Sequence, residues 1–397
     1  MPKVVVGISG GVDSSVAAFL LKQQGYDVTG LFMINWHDTA GTLSGDCPWN
    51  DDLIFAELVA RKLDIPLHTI DFSDQYRKRV VDYMFAEYER GRTPNPDVLC
   101  NREIKFDLFL EKAKELGADY IATGHYCRKD CITKDGGKIY RLLAGSDPSK
   151  EQSYFLCQLN QEQLAPTLFP IGHLLKSEIR RIASELELPT AKRKDSQGIC
   201  FVGKIDLPEF LRQKLLPREG DIIEIDKKCD FIYPEFHGIQ YNYNVNDLLK
   251  LCSPYNYHPE MGNIIGKHQG AHYFTIGQRK GLNVGGKQEP LFVLKTDTEK
   301  NLIYVGQGHN HAGLNRFGLY IPRGDIHWIR EDMRMELDEV REYKVRIRYR
   351  QSLQKAALHM KSDGLYIVFA KAQRGITSGQ FAVWYHNTEL LGSGVIE

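Results

Sequence analysis

A glycine-rich stretch at residues 7–15, Gly-Ile-Ser-Gly-Gly-Val-Asp-Ser-Ser, has the composition of a phosphate-binding loop. The adjacent Gly10 and Gly11 let the backbone approach an anion closely, with N–H groups pointing inward. Ser9 and Ser14 add hydroxyl donors, and Asp13 could cap a following helix or hold Mg2+ beside a phosphate. No Gly-Lys-Ser/Thr closes the stretch, so it is not a Walker loop. The alternative is an ordinary turn whose polar residues only cap the helix, but the complete string favours nucleotide binding.

Cys100 is a candidate nucleophile because of its neighbours in the sequence. Two prolines stiffen the chain before it, and a helical pattern begins near Glu103, which predicts that Cys100 lies just before a helix N-terminus. The helix dipole, together with Arg102 and Lys105, favours a thiolate. Asp97 is close in sequence and could transfer a proton.

Cys200 is a second candidate, between Gly198 and Gly203, whose spacing predicts a mobile loop. The chain has eight cysteines without paired spacing. None of them form a Cys-x2-Cys pair, the spacing typical of a zinc site, so we expect no metal centre. Five of the others are interpreted as small buried hydrophobes: Cys127, Cys131, Cys157, Cys229 and Cys252. Cys47 is the eighth cysteine. In a large chain without an export signal, we expect reduced thiols and a cytoplasmic location.

The elements that must position these residues follow an alternating pattern. Apolar runs predict strands at 3–8, 28–33, 65–72 and 118–123, and periodic stretches predict helices at 13–24, 53–63, 73–90 and 103–116. This alternation predicts a doubly wound parallel sheet, an α/β fold. Ligands in such sheets lie beyond the carboxyl ends of strands, so chemistry is expected after the first and fourth strands. His125, more often a structural residue, follows the fourth.

After about residue 205 the pattern becomes β-rich. Short alternating runs predict strands at 270–277, 291–296, 302–306, 344–350, 365–369 and 380–385. We therefore predict three domains, at 1–205, 206–290 and 291–397, the second a small β-rich domain and the third barrel-like. Residues 226–262 carry five tyrosines and little periodicity, and are interpreted as an insertion or elaborated loop.

The third domain contains a basic segment, in which Lys344, Arg346, Arg348 and Arg350 alternate with apolar residues. On a strand, this alternation places four cations on one face. A phosphate-contacting stripe and an ordinary solvated face are about equally good interpretations of the pattern alone.

Composition limits the other possibilities. The chain has 397 residues, with 51 Lys and Arg against 51 Asp and Glu, so its formal net charge is zero. Any binding to nucleic acid or membranes must therefore come from local patches. No apolar run approaches the ~20 residues that a membrane-spanning helix needs.

The loop at 9–14 resembles the pyrophosphate loop of the N-type ATP pyrophosphatases, which have an adenine nucleotide alpha hydrolase-like fold. The whole chain resembles one family within that superfamily, the bacterial tRNA-specific 2-thiouridylases. The resemblance rests on strings that occur in order along the chain, at 9–14, 31–33, 91–106, 124–126, 152–156, 195–203, 277–281, 348–351 and 379–380. Two departures are Glu151, where the family usually has Asp, and the lack of a Pro before Gly379.

The resemblance implies a role for each matching position. ATP would be held by Gly7, Ile8, Ser9, Gly10, Gly11, Val12, Asp13 and Ser14, with the adenine near Met33 and Gly124. Cys100 would be the nucleophile, Cys200 would carry sulfur as a persulfide, and Asp97 would be the acid–base. The target base would meet Asn95, Pro96 and Asp97. Contacts to tRNA would come from His125, Lys150, Glu151, Gln152, Arg348, Tyr349 and Gln380.

The implied activity is ATP-dependent 2-thiolation of the wobble uridine, position 34, by adenylation of O2 and sulfur transfer, with release of AMP and pyrophosphate. The implied participants are ATP with Mg2+, the tRNAs for Lys, Glu and Gln, and a cysteine desulfurase or sulfur-relay protein. Attack by the persulfide and attack by sulfide released from it both remain open. Two other functions also remain open: an adenylating enzyme for a small molecule, and a tRNA-binding protein without catalysis.

Overall fold

The structure is a computed structural model that describes residues 1–37, 49–195, 200 and 206–397. Predictions made for Cys47, Gly198 and Gly203, and a domain boundary at residue 205, fall outside these residues. Within the described ranges, no helix is both long and apolar enough to cross a membrane.

A parallel sheet forms the N-terminal part of the chain. The first seven strands are β1 (Lys3–Gly7), β2 (Asp27–Ile34), β3 (Leu67–Asp71), β4 (Tyr120–Ala122), β5 (Cys127–Lys134), β6 (Gly137–Ala144) and β7 (Thr167–Leu168). Five of them pair in parallel in the order β3-β2-β1-β4-β7, which confirms the predicted α/β sheet. Because β2 and β4 flank β1 on opposite sides, the loops after β1 and β4 are neighbours at the carboxyl edge.

Helical segments cover both faces of this sheet. The α-helical segments are Val12–Gln23, Trp49–Leu63, Ser73–Tyr76, Asp82–Glu89, Pro96–Cys100, Phe109–Glu115, Gln161–Leu164 and Lys176–Glu185, and the π-helical ones are Arg77–Val81 and Asn101–Leu108. Alternate residues of β1 pack into different cores: Val4 and Val6 contribute to the cluster with Val16, and Val5 to the cluster with Cys100. A strand buried on both faces explains the continuous apolar run at its start.

A second, four-stranded sheet follows. Its strands are β8 (Gly220–Ile225), β9 (Gly262–His268), β10 (Leu291–Asp297) and β11 (Leu302–Gln307), in the order β10-β11-β8-β9. A division at residue 290 would separate β10 and β11 from their partner β8, so strand pairing groups 291–307 with the central sheet. The strand predicted at 270–277 is wrong. The glycines at its two ends, Gly270 and Gly277, have positive φ values of 141° and 83°, which interrupt an extended strand.

The C-terminal part is the predicted barrel-like β-structure. Its strands are β12 (Asn315–Pro322), β13 (Ile326–Trp328), β14 (Val340–Arg346), β15 (Gln354–Met360), β16 (Gly364–Arg374), β17 (Phe381–His386) and β18 (Glu389–Val395). They belong to one antiparallel sheet, with the order β12-β16-β15-β14-β17-β18-β6-β5 and with β13 paired to β18. The β5–β6 hairpin therefore extends this sheet although it lies within the N-terminal sequence, because Leu142 and Leu143 pair with β18.

The tyrosine-rich segment at 226–262 is folded against the barrel. It contains the helix Val245–Cys252, which is capped by Asn244 and packs Leu248 and Leu251 against Tyr366 on β16. The remaining short helices are Leu207–Leu211, Ser153–Leu156, Lys227–Ile232, Pro259–Met261, Ala271–Tyr273, Ala312–Leu314, Arg323–Asp325 and Glu331–Met333.

The predicted basic stripe does not form, because β14 ends at Arg346 and the chain then bends. Arg346 is buried, and its guanidinium forms an ion pair with Glu151 of the N-terminal part. It also donates to the hydroxyls of Tyr385, at 3.1 Å, and Ser153, at 3.2 Å. This cluster joins the barrel to the N-terminal part of the chain through a buried charge pair.

Arg346→Met would remove the cation and leave Glu151 charged inside this junction. Loss of one partner of a buried ion pair costs about 3–5 kcal/mol, so we expect the free energy of unfolding to fall by about that amount. Urea unfolding followed by the fluorescence of Trp328 and Trp384, both buried in the barrel, measures the change. Lys344→Met replaces an exposed lysine of the same strand and should change this energy by less than about 0.5 kcal/mol. Equal effects in the two variants would contradict the assigned importance of the ion pair.

Candidate active site

The glycine-rich loop joins β1 to the helix Val12–Gln23, with Gly11 as the N-cap residue. Gly10 has a φ of +70°, and a Cβ at this position would lie 2.3 Å from the carbonyl oxygen of Asp52, so only glycine fits. Ser14 Oγ accepts from the backbone N–H of Ser9 at 3.1 Å and donates to the carbonyl oxygen of Gly11 at 3.1 Å. These contacts fold the loop over the helix N-terminus, where backbone N–H groups and the helix dipole favour an anion.

Gly124, after β4, lies directly against this loop. A Cβ on it would be 2.8 Å from the backbone nitrogen of Ser14 and 2.9 Å from the carbonyl carbon of Asp13. The close approach requires glycine, and it brings the loops after β1 and β4 together as the sheet order predicts.

One cavity of about 260 Å³ joins the phosphate loop to the candidate cysteine region. The predicted site residues that line this cavity are Gly7, Ile8, Ser9, Asp13, Ser14, Met33, Gly124, His125, Gln152 and Cys200. Lys105, which the sequence analysis named only as a cation favouring a thiolate, also lines the cavity, and five lining residues had no predicted role: Phe32, Asn35, Trp49, Asp52 and Thr123. Gly10, Gly11 and Val12 are outside this lining, and Val12 is buried in the core. The cavity thus brings a nucleotide-type loop and a thiol into one space.

Cys100 does not precede a helix as predicted, because the helix begins earlier, at Pro96. Asn95 caps it by accepting from the backbone N–H of Val98 at 3.3 Å, and Pro96 occupies a first-turn position, where its missing N–H costs nothing. Cys100 is therefore the fifth helical residue and is fully buried. Asp97 is one turn before it, on the same side of the helix.

The structure brings Cys200 to Cys100 and Asp97. Cys100 lies close enough to Cys200 to raise the pKa of its thiol, and both cysteines are free thiols. The backbone N–H of Cys200 donates to Asp97 Oδ1 at 3.0 Å, and the Tyr76 hydroxyl donates to the Cys200 carbonyl oxygen at 2.7 Å. The three predicted catalytic residues therefore share one site, and Tyr76 is a contributor that sequence reasoning missed.

Charges around this sulfur oppose one another. The Cys100 thiol and burial, together with the charge of Asp97, raise the pKa of Cys200 well above its ordinary value, while Lys105 lowers it. Lys105 Nζ lies 3.8 Å from Cys200 Sγ. Burial lowers the pKa of Lys105, but Cys200, Cys100 and Asp97 outweigh burial and raise it overall. Lys105 is therefore a protonated ammonium at neutral pH, placed beside a sulfur atom.

Asp13 is part of a charged network behind the phosphate loop. Its carboxylate contacts Lys176 Nζ at 2.8 and 2.9 Å and accepts from the Tyr126 hydroxyl at 2.6 Å. Lys176 also lies 2.8 Å from Asp195, whose pKa is lowered to about 2 because Lys150 and Lys176 outweigh the opposing effect of burial. No sequence signal identified Lys176, because it comes from a helix more than 160 residues after Asp13.

Three of the residues predicted to contact tRNA lie at or near the cavity. His125 is buried, and its Nδ1 forms a hydrogen bond of 2.8 Å with Thr123 Oγ1. Burial and the charge of Lys105 lower the pKa of His125 well below its ordinary value. Lys150 pairs with Asp195 at 2.6 Å, and Gln152 Oε1 accepts from the backbone N–H of Tyr126 at 3.0 Å. His125 is thus a neutral lining residue.

The other four residues predicted to contact tRNA take part in contacts between elements. Glu151 is nine-tenths buried, and its carboxylate pairs with the guanidinium of Arg346. Arg348 donates to the carbonyl oxygens of Arg374, at 3.1 Å, and Gly375. Tyr349 packs on Phe155 with ring centroids 4.4 Å apart, and Gln380 Nε2 donates to the carbonyl oxygens of Thr93 at 2.8 Å and Pro94 at 3.2 Å. Gln380 therefore fixes the segment that starts the Cys100 helix.

Family comparisons agree with this architecture. The chain matches a domain described as "tRNA methyl transferase HUP domain" at residues 2–204, a "tRNA methyl transferase PRC-barrel domain" at 255–307 and an "Aminomethyltransferase beta-barrel domain" at 321–396. The first match covers the parallel sheet with the phosphate loop, which makes this a protein of the HUP class. Solved structures align more distantly: a 4-thiouridine synthetase–RNA complex with bound ATP is 17% identical, covers 53% of this chain and 50% of that one, and has a TM-score of 0.33.

Curated relatives define the family more narrowly. The chain is 59% identical to the protein named tRNA-specific 2-thiouridylase MnmA of Christiangramia forsetii over 396 residues, covering 100% of both chains. It is also 59% identical to the protein of that name from Flavobacterium johnsoniae, again over 100% of both chains. The protein of that name from Halalkalibacterium halodurans is 43% identical, with 100% of this chain and 94% of that one covered. The chain belongs to the family of tRNA-specific 2-thiouridylases.

Gly124→Ala tests the contact between the loops after β1 and β4. The added Cβ would press on the backbone at Asp13 and Ser14, so we expect the affinity for a non-hydrolysable ATP analogue to fall at least about tenfold, which corresponds to ~1.4 kcal/mol. Isothermal titration calorimetry measures the affinity. Gly285→Ala is the matched control, because a Cβ there meets nothing within 4 Å. Unchanged affinity in Gly124→Ala would show that the cavity does not hold the nucleotide at this loop.

Proposed function

We propose that this protein is an ATP-dependent tRNA sulfurtransferase that replaces the C2 oxygen of the wobble uridine, position 34, with sulfur. The observation that carries the proposal is the cavity lined by both the phosphate loop and Cys200, whose backbone N–H donates to Asp97 on the helix that carries Cys100. Full-length similarity to proteins named for tRNA 2-thiolation supports this substrate and reaction.

The first step activates the base. A uracil C2 carbonyl is a poor electrophile, so its O2 attacks the α-phosphorus of ATP and pyrophosphate leaves. The N–H groups and hydroxyls of the phosphate loop hold the phosphates, and Met33 and Gly124 lie where the adenine binds. Mg2+ accompanies ATP and commonly uses one or two carboxylates together with substrate phosphates; Asp13 is the loop carboxylate that fits this role. The described residues contain no cluster of three His, Cys, Asp or Glu side chains that would bind a metal ion without the nucleotide.

The second step transfers sulfur. The terminal sulfur of a persulfide on Cys200 bonds to C2, and AMP departs with the electron pair of the C2–O bond. The Cys100 thiolate then attacks Cys200 Sγ, and the S–S bond breaks with its electron pair going to the sulfur on C2. The products are the 2-thiouridine, AMP and a Cys100–Cys200 disulfide, which an external thiol reduces before the next turnover. The closeness of the two cysteines, which raises the pKa of the Cys200 thiol, supports this order.

Asp97 has two parts in the proposal. It is the acid–base residue for the base and sulfur, and its Oδ1 also fixes the backbone of Cys200. Asn95 and Pro96 precede it at the start of the helix and would meet the target base. The base must leave the anticodon stack to reach a cavity of this kind.

The remaining participants are also proposals. The tRNAs for Lys, Glu and Gln are the expected acceptors, and a cysteine desulfurase or a sulfur-relay protein supplies the persulfide sulfur, in the cytoplasm. Contacts to tRNA are assigned to His125, Lys150, Glu151, Gln152, Arg348, Tyr349 and Gln380. Arg348 is the member of this set whose side chain is both cationic and largely at a surface, in the cleft with Arg374.

The test is nucleoside mass spectrometry of unmodified tRNA incubated with the protein, ATP and Mg2+, a cysteine desulfurase and cysteine. We expect 2-thiouridine with the wild type and loss of at least about 100-fold in Cys100→Ser and Cys200→Ser, because each sulfur takes part in a bond that forms or breaks. Cys131→Ser, a change at an exposed cysteine away from the cavity, is the control and should match the wild type.

The outcomes separate the alternatives. Thiolation in either active-site variant would overturn the role of that cysteine. Release of AMP by the wild type without tRNA, and no 2-thiouridine, would favour an adenylating enzyme for a small molecule. Tight binding of tRNA without AMP would favour a binding protein.

A further inference from the structure

Lys105 and Cys100 share one side of their helix because of a local change in helix geometry. In a regular α-helix of 3.6 residues per turn, side chains five residues apart point about 140° away from each other. The segment Asn101–Leu108 is π-helical, and the backbone N–H of Phe109 accordingly donates to the carbonyl oxygen of Ile104, five residues earlier. In this geometry residues five apart lie nearly above one another. The π-helical segment thus turns Lys105 toward the thiols that Cys100 and Cys200 bring together.

The ammonium of Lys105 has a specific neighbour in the cavity. Lys105 Nζ is 3.8 Å from Cys200 Sγ, and both residues line the space that contains Ser9, Asp13 and Ser14 of the phosphate loop. The cation therefore stands beside the sulfur at the side of the cavity where an activated base would have to bind.

The other groups around this sulfur do not favour negative charge on it. Asp97 is a carboxylate one hydrogen bond from the Cys200 backbone, Cys100 is a second thiol, and the Tyr76 hydroxyl is used by the Cys200 carbonyl oxygen. The sulfur that attacks C2 reacts as an anion, because the thiolate form is the nucleophile. An anion in a buried site needs a partner of opposite charge.

We propose that Lys105 is a catalytic residue of sulfur transfer, whose ammonium stabilises the anionic sulfur on Cys200 as that sulfur attacks the activated base. The inference rests on the proposed function and adds to it the group that makes Cys200 reactive. Lys105 changes no bond and transfers no proton in this role; it lowers the energy of the anion before attack. Adenylation of the base does not need this contact, so the two half-reactions depend on Lys105 differently.

The first experiment measures Cys200 without any substrate. Alkylation of the full chain by iodoacetamide is followed against pH, and peptide mass spectrometry reports the Cys200 peptide alone. An opposite charge within 4–6 Å shifts a pKa by about 1–3 units, so Lys105→Met should slow alkylation at pH 7.5 by about 10- to 100-fold and move its pH midpoint upward. Lys105→Arg keeps the charge and should retain most of the reactivity. Lys112→Met changes a lysine of the same helical run that pairs with Glu115, and should match the wild type.

The second experiment measures the reaction in the thiolation mixture with tRNA. With the protein in excess over tRNA, so that one turnover is followed, Lys105→Met should lower the rate of 2-thiouridine formation by at least about 100-fold while the rate of pyrophosphate release stays within about threefold of the wild type, since only the attacking sulfur loses its partner. Equal loss of both products, or wild-type values for alkylation and thiolation, would overturn the role of Lys105. If the wild type itself makes no 2-thiouridine, the proposed function fails, and the alkylation profile still decides whether Lys105 stabilises the sulfur. If Lys105→Met does not fold, Lys105→Gln, a neutral side chain with hydrogen-bond donors, makes the same comparison.

Discussion

The backbone of Cys200 is held from both sides, and the geometry of the site depends on this clamp. Asp97 accepts its N–H and Tyr76 donates to its carbonyl oxygen, across sequence separations of 103 and 124 residues. The two clamping residues belong to different helical runs that pack in one hydrophobic cluster with Cys100. The position of a reactive sulfur is thus fixed by core packing: displacement of either helix would move Cys200 away from Cys100. A polar contact of this kind holds its geometry because the surrounding core is close-packed.

The barrel contributes to the same site by holding the start of the Cys100 helix. Gln380 donates to the carbonyl oxygens of Thr93 and Pro94, and Thr93 donates its N–H to Ser378 at 2.8 Å. Gly379, at a φ of +89°, leaves so little room that a Cβ would lie 3.0 Å from the backbone of Thr93. With the Glu151–Arg346 ion pair, these contacts make the barrel a support for the segment that leads into the Cys100 helix. Gln380 and Glu151, which the family resemblance associates with RNA, therefore also hold other parts of the chain in place.

The sequence predicted the parts of this molecule that local rules govern. The order of strands and helices in the N-terminal part follows from apolar runs and periodicity, and the phosphate loop follows from Gly10 and Gly11 between β1 and a helix. The start of the Cys100 helix was misplaced because the Asn-Pro signal was interpreted as a stiff loop, whereas Asn95 is a cap and Pro96 a first-turn residue. The alternation around Arg346 predicted that its side chain shares one strand face with the neighbouring cations. The side chain is instead buried, because it pairs with Glu151, almost two hundred residues earlier in the sequence. Contacts such as Tyr76 with Cys200, or Lys176 with Asp13, join distant segments and leave no local pattern in the sequence.

The charge balance behind the phosphate loop has a consequence for any anion that arrives there. Lys176 is shared between Asp13 and Asp195, so phosphate oxygens at the loop compete with two carboxylates for one ammonium. Without Lys176, Asp195 would still have Lys150 at 2.6 Å and Arg180 at 2.7 Å, whereas the hydroxyl of Tyr126 would remain as a neutral donor to Asp13. Movement of Lys176 toward a phosphate would therefore leave Asp195 paired and Asp13 available for a divalent cation. Lys150, Lys176 and Arg180 all pair with Asp195, so the charge balance at the phosphate loop depends on cations that Asp13 and Asp195 share or divide between them.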